Sequence, residues 1–210
     1  MNLKFSHLNG SEANQNSKLM ESAYRLRHKI FVDEMGWEEL QSDDSLENDQ
    51  FDTDEAIHMF LHAEDKLIGY QRLLPTTKPY LLSEIYPHLC EVDVPRAADT
   101  WEWTRFAVLP EYRKGVRKLS YAGNILLSGI VEWGLENRVN QIVIEMNPLW
   151  MLMLPTLHFR AIPLGIPHSI AGNDTIAVVA KFDERTLVRL REFRGDTDVV
   201  LQEQIEKSAG

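Results

Sequence analysis

The stretch Trp101-Glu102-Trp103-Thr104-Arg105-Phe106-Ala107-Val108 sets a carboxylate and a guanidinium among aromatic and branched side chains. Such company favours a half-buried strand, where Glu and Arg are rarely buried unless paired. Neighbours on a strand point to opposite faces, so Glu102 and Arg105 face opposite ways unless a bulge intervenes. Three other groups could do chemistry. Glu38, Glu39, Asp43, Asp44, Glu47, Asp49, Asp52, Asp54 and Glu55 crowd one segment, but their spacing is not that of a calcium loop, and no metal site is expected. His58 and His62 are four apart, a spacing that gathers two ligands on a helix and not on a strand. Residues 111–118, Glu-Tyr-Arg-Lys-Gly-Val-Arg-Lys, form a compact basic cluster before a helix, suited to a phosphate or to solvent. No Cys/His or Ser/His pairing suggests a covalent nucleophile.

These groups need elements to hold them. Leu19, Ala23, Leu26 and Ile30 recur at helical spacing and predict a helix over 17–35, stopped by Gly36. The acidic segment 38–55 reads as a long loop, anchored by Trp37, Leu46 and Phe51. Ile57–Ala63 and Leu67–Leu74 predict a hairpin about Glu64-Asp65-Lys66, with Arg72 interrupting its second strand. A short first strand at 3–8, a loop at 10–17 and a connecting region at 80–100 complete the first half. Further on, the pattern predicts a helix at 119–137 and a strand at 141–145. A helix at 150–159, a strand at 175–182 and a helix at 184–194 follow. Helices interleaved with strands imply an α/β sheet covered on both faces.

Composition bounds the rest. The 210 residues read as a single domain, 1–210, with a polar tail from about 195. Hydrophobic residues at 44% allow a sizeable core without staples. A net charge of −10 disfavours a nucleic-acid partner. The lone cysteine, Cys90, excludes an internal disulfide framework and suits a reducing cytoplasm. No signal-peptide or membrane-spanning run is evident, so a cytoplasmic location without membrane contact is expected.

Four motifs, in order, resemble a known family. Leu26-Arg27-His28-Lys29-Ile30-Phe31-Val32-Asp33-Glu34-Met35-Gly36-Trp37 is similar to the opening signature of the acyl-homoserine lactone synthases, the autoinducer synthases of bacterial quorum sensing. Glu47-Asn48-Asp49-Gln50-Phe51-Asp52, Arg72-Leu73-Leu74-Pro75-Thr76-Thr77-Lys78-Pro79 and Trp101-Glu102-Trp103-Thr104-Arg105-Phe106 resemble the next three. The resemblance covers residues 26–108 closely and the C-terminal half loosely.

It implies a GNAT-like fold, the three-layer α/β/α sandwich of N-acetyltransferases with a mixed central sheet. It also implies a reaction: an acyl thioester acylates the α-amine of S-adenosylmethionine (SAM), and the methionyl carboxylate then closes the lactone with loss of methylthioadenosine. SAM and the thioester are substrates, and no cofactor is expected. The family's motif positions fall on Arg27, Phe31, Trp37, Asp49, Asp52, Arg72, Glu102 and Arg105. On that basis Glu102 accepts the amine proton. Arg105 or Arg72 holds the substrate carboxylate. Phe31, Trp37, Asp49, Arg105 and Phe106 bind SAM, aromatic faces suiting its sulfonium. Arg27, Asp49, Asp52 and Arg72 form an electrostatic network.

The acyl donor is acyl-CoA or acyl-carrier protein, with Arg113, Lys114, Arg117 and Lys118 as docking cations. Trp101-Glu102-Trp103 and Ser83-Glu84-Ile85-Tyr86-Pro87-His88-Leu89 look closest to a rhizobial and photosynthetic-bacterial branch that uses acyl-CoA with branched or aryl groups. The acyl slot is expected between Trp103, Ile142, Ile144, Met146, Leu149 and Trp150, whose bulk favours short chains. Two other readings are a CoA-dependent N-acyltransferase acting on another amine, and a non-catalytic SAM- or acyl-binding sensor. Against the first, Arg113-Lys114-Gly115-Val116 departs from that fold's Arg/Gln-x-x-Gly-x-Gly/Ala pyrophosphate loop.

Overall fold

The computed structural model describes residues 3–113 and 119–201. Its α-helices and strands run β1 (Leu3–Asn9), α1 (Ser17–Arg27), β2 (Ile57–Ala63), β3 (Lys66–Pro75), α2 (Leu81–Glu84), β4 (Thr100–Val108), α3 (Tyr121–Glu136), β5 (Gln141–Met146), α4 (Pro148–Met151), β6 (Arg160–Pro163), β7 (His168–Ile170), β8 (Asn173–Lys181) and α5 (Glu184–Arg194). The described residues pack as two compact units, one of 3–72, 105–113, 119–129 and 198–201, the other of Leu73–Thr104 and Ile130–Thr197.

In the first unit β1 lies antiparallel to β2, from Leu3 opposite Ala63 to Asn9 opposite Ile57. β3 is the next strand beyond β2, and the tight connection between them puts Glu64 at φ 54, the left-handed conformation that short hairpin turns need. β2 and β3 are buried on both faces: Met59, Phe60, Leu61, Ile68 and Tyr70 are all fully buried. Phe5 from β1 joins this core. A Cβ on Gly129 would come within 2.2 Å of the Phe5 ring, so only glycine permits α3 its approach to β1. Residues 10–16, expected as loop, close into 3-10 turns, with Glu12 capping back onto the Asn9 backbone.

In the second unit β4 and β5 are parallel, β8 is antiparallel to β5 on one side and to β6 on the other, and β7 folds back on β8. β5 and β8 read as near-continuous apolar runs because both are buried: Ile142, Val143, Ile144, Ala177, Val178 and Ala180 are shielded. α5 has the predicted bounds for a simple reason. Asp183 caps it by accepting from the Arg185 N–H, and Gly195 ends it at φ 81. The helix expected over 150–159 is instead two short turns, α4 and a 3-10 turn at Leu154–Leu157, because Pro148 and Pro155 can only start a turn. β6 and β7 were not expected; at four and three residues they carry too little pattern to read.

Candidate active site

The site begins where α1 ends. Helical backbone continues past Arg27 as a wider π-type turn over His28–Glu34, a departure common at functional sites. Gly36, at φ 71, stops it as expected. The closing bonds are wide too: Met35 N–H reaches the Ile30 carbonyl and Trp37 N–H the Phe31 carbonyl, at 3.0 and 2.9 Å. The reversal lays Trp37 on Phe31, their rings stacked 5.2 Å apart. Arg105 covers the same phenyl ring, its guanidinium carbon 5.6 Å from the centroid. Phe31 therefore has only 4% exposure, while Trp37 stays half-exposed.

Beside this stack, Arg27, Arg72 and Arg105 meet Glu47, Asp49 and Asp52. Arg27 donates to Glu47 through Nε and Nη2, at 2.5 and 3.0 Å, and to both oxygens of Asp52 through Nη1. Arg72 grips Asp49 with both Nη atoms, at 2.6 and 3.0 Å, and reaches Asp52 Oδ1 at 2.7 Å. Arg105 donates to Glu47 through Nε and Nη2 and to Asp49 Oδ2 at 2.8 Å. Arg27 also lies over the rings of Tyr24 and Tyr70, at 5.3 and 5.6 Å. Side-chain exposure is 0% for Arg27 and Arg72 and 7% for Arg105. Three positive and three negative groups balance, which is what makes their burial tolerable.

Burial pushes each carboxyl upward, but the facing cations outweigh it. Glu47 is held below the ordinary range by its Arg27 hydrogen bond and the charges of Arg27 and Arg105. Asp49 is lowered by Arg72 and Arg105, and Asp52 is lowered strongly by Arg72 and Arg27. The acidic loop is thus folded down by its charge. Asp52 also accepts from the Asp49 N–H, and Asp49 from the Phe51 N–H, bonds that fix the turn presenting them. The carboxylates oppose guanidinium groups, and among the described residues no His/Cys/Asp/Glu cluster is disposed to hold a metal.

Arg105 reaches the network because β4 bends. Its φ of 56 is unusual for a residue other than glycine. The alternation of buried and half-buried positions from Thr100 to Thr104 breaks there, with Arg105 and Phe106 both half-buried. Such a bulge re-aims a side chain at a cost of roughly 1–3 kcal/mol in backbone strain. Phe106 packs toward α3 at Gly123. Arg113 is occupied by the carboxylate of Glu34, while its Nε donates to the Val108 carbonyl at 2.6 Å. Lys114, Arg117 and Lys118 lie outside the described residues.

Glu102 belongs to the second unit and is fully buried. Its two oxygens accept from the Leu81 and Leu82 N–H groups, at 3.0 and 2.7 Å, holding the start of α2. Pairing between β4 and β5 ends at Glu102 opposite Val143, although β5 continues to Met146. Of the expected slot residues, Ile142 and Ile144 are buried, Trp103 and Met146 half-buried, and Leu149 and Trp150 are 76% and 54% exposed.

The autoinducer synthase family model matches residues 11–190. The chain belongs to that family. The autoinducer synthase is 31% identical over 186 residues to isovaleryl-homoserine lactone synthase of Bradyrhizobium diazoefficiens, covering 88% of this chain and 83% of that one. It matches the structure of BjaI, a CoA-dependent acyl-homoserine lactone synthase solved with SAM and isopentyl-CoA, at 28% identity and a TM-score of 0.87, over 96% of this chain and 93% of that one. An N-acetyltransferase-named structure from Lactobacillus plantarum matches at 19% identity and a TM-score of 0.57, over 86% and 99% of the two chains. The synthase therefore has the GNAT-like fold, a mixed α/β sheet with helices.

In this autoinducer synthase, Arg27, Asp49, Asp52, Arg72 and Arg105 come together as one cluster. Glu47, which lies within the second motif, is the group that bridges Arg27 and Arg105. Its signal was arithmetic: three buried arginines require a third carboxylate. Tyr24 and Tyr70 were also missed, because aromatic residues at core spacing carry no mark of a cation above them.

Proposed function

We propose that this autoinducer synthase makes an acyl-homoserine lactone from SAM and acyl-CoA, with a short, branched acyl group as its preferred cargo. The observation that carries this reading is the likeness, over nearly the whole chain, to an isovaleryl-homoserine lactone synthase and to a CoA-dependent synthase solved with SAM and isopentyl-CoA. The α-amine of SAM, as free base, attacks the thioester carbonyl. The N–C bond forms, the C–S bond breaks and the thiol leaves with a proton. A methionyl carboxylate oxygen then attacks its own Cγ, the Cγ–S bond breaks, and its electron pair neutralises the sulfonium. The lactone closes and methylthioadenosine departs.

The chain's own groups fit these steps. Trp37 offers the sulfonium and adenosine an accessible indole face, and Phe31 stiffens it from behind. Of the three arginines, Arg105 is the one with side-chain surface to offer a carboxylate, and its planar fork suits bidentate pairing. Arg72 and Arg27 act behind it, holding Asp49 and Glu47. Glu102 takes the amine proton through a water. Its two backbone N–H partners hold it fixed in place. The acyl chain is assigned to the end of the β4–β5 pairing, beyond Glu102 and Val143, beside Trp103 and Ile144.

The deciding experiment incubates purified protein with SAM and isovaleryl-CoA or isovaleryl-carrier protein, following methylthioadenosine, free thiol and lactone by mass spectrometry. All three products with the CoA donor are expected. Free thiol without methylthioadenosine would make the protein an N-acyltransferase on another amine, and neither product would make it a sensor. A carrier-protein donor that wins in kcat/KM would overturn the donor assignment.

A further inference from the structure

One buried titratable group has no part in the reaction above. His58, on β2, is fully buried, and its Nδ1 lies 2.6 Å from the hydroxyl of Tyr70 on β3. Tyr70 is equally buried and its ring lies under the Arg27 guanidinium. We propose that His58 and Tyr70 act as one positioning unit for SAM binding, His58 accepting the phenol proton and so fixing the ring that supports Arg27. This rests on the reading that Arg105, joined to Arg27 through Glu47, contacts the substrate.

Three observations converge on it. First, both groups are neutral: burial holds His58 down to about 4, with Arg72 and Arg27 also lowering it and Asp52 and Asp49 opposing, and burial keeps Tyr70 well above the ordinary phenol range. With both neutral, the phenol donates to an unprotonated Nδ1 in the arrangement we propose. Second, that tautomer leaves the His58 Nε2 proton with no partner among the described residues. A buried donor without a partner is a cost that an apolar residue at 58 would avoid, and so it calls for a reason. Third, the reason is geometric. Phe60 meets Tyr70 edge-on at 5.7 Å and His58 lies at 6.1 Å, so the phenol is clamped at its rim as well as its tip. Arg27 has its edge filled by Glu47 and Asp52. The rings of Tyr24 and Tyr70 are the remaining surfaces that set its height, and through Glu47 the position of Arg105.

The test varies SAM at saturating isovaleryl-CoA, then the reverse, for the wild type and His58→Leu, His58→Gln, Tyr70→Phe and the Leu/Phe double variant, with Tm for each. Expected are an increase of about tenfold in KM for SAM in H58L and Y70F and a KM for acyl-CoA within about twofold of wild type. The double variant should be no worse than either single, since groups acting as a unit are non-additive. H58Q, whose amide oxygen can accept the phenol proton, should recover most of the loss. Unchanged KM for SAM with only a lower Tm would overturn the proposal, as would additive losses or a folded H58Q that fails to rescue. Should H58L not fold, Y70F, which removes a single oxygen, decides alone. Arg105→Lys is run alongside. If it leaves KM for SAM unchanged while Y70F raises it, the substrate-contact reading fails and not the positioning unit.

Discussion

Arg27 and Glu47, twenty residues apart in the chain, meet in a double hydrogen bond of 2.5 and 3.0 Å with both side chains fully buried. Breaking one side of such a pair leaves an uncompensated charge in the interior. Arg27→Met should therefore cost about 3–5 kcal/mol of stability. Adding Glu47→Gln should cost less than the sum of the two single changes, because the pair is coupled. Urea titrations of the three variants measure this, and additive losses would contradict it.

The pH dependence of stability divides into two windows. His58 has its folded value lowered to about 4 against 6.5 unfolded. The unfolded chain then binds more protons, so this group removes stability progressively as pH falls from about 6.5 to 4. Glu47, Asp49 and Asp52 are lowered in the folded state. Their contribution is complete above the unfolded carboxyl range near about 4 and is lost below it. Chemical denaturation from pH 8 to 3 should show both declines, and His58→Leu should reduce only the upper one, to which the lowered His7 and His62 also contribute.

Glu102→Gln keeps one acceptor for the Leu81 and Leu82 N–H pair, so the fold and SAM binding should survive. Amide formation should fall by about 10²–10⁴, the usual contribution of a positioned base. Turnover near wild type at saturating substrates would remove Glu102 from that role.

Trp37→Ala takes away the half-exposed indole while leaving the buried Phe31 in place. SAM affinity should fall by about 0.5–2 kcal/mol, the size of a cation over an aromatic face, with acyl-CoA affinity little changed. Calorimetry with each ligand separates the two.

The residues proposed to line the acyl slot, Trp103, Ile142, Ile144, Met146, Leu149 and Trp150, are bulky, and 142–144 offer no hydroxyl to a 3-oxo group. Burying that oxygen without a partner costs about 1–3 kcal/mol. A panel of acyl-CoAs should rank short branched donors above 3-oxo-dodecanoyl, and Trp150→Ala should shift preference to longer chains. A 3-oxo-dodecanoyl donor with the highest kcat/KM would reverse the argument.

Local elements were legible because each carries its own periodicity. The apolar spacing of α1, the hairpin of β2 and β3, and the Asp183 cap and Gly195 stop of α5 are written within a dozen residues each, where short-range sterics and hydrogen bonding decide. Motif order was equally readable, and with it the family and the residue types its chemistry needs. The break at α4 was missed because Pro148 and Pro155 were outweighed by the apolar run around them.

What the sequence by itself determined is therefore most of the run of elements, the acyl-transfer family and most members of the charged cluster. Only tertiary structure added Glu47 to Asp49 and Asp52 as the third carboxylate. Nine acidic residues between 38 and 55 look alike in one dimension, yet Glu47, Asp49 and Asp52 are the three drawn under Arg27, Arg72 and Arg105. Nor does the order of residues reveal that Arg105 turns at φ 56, that α1 widens into a π turn, or that a histidine in an apolar strand ends on a tyrosine hydroxyl. The physical reason is the same throughout. Backbone periodicity is a local property, whereas the pairing of buried charges and the strain that directs them depend on which distant segments share a low-dielectric interior.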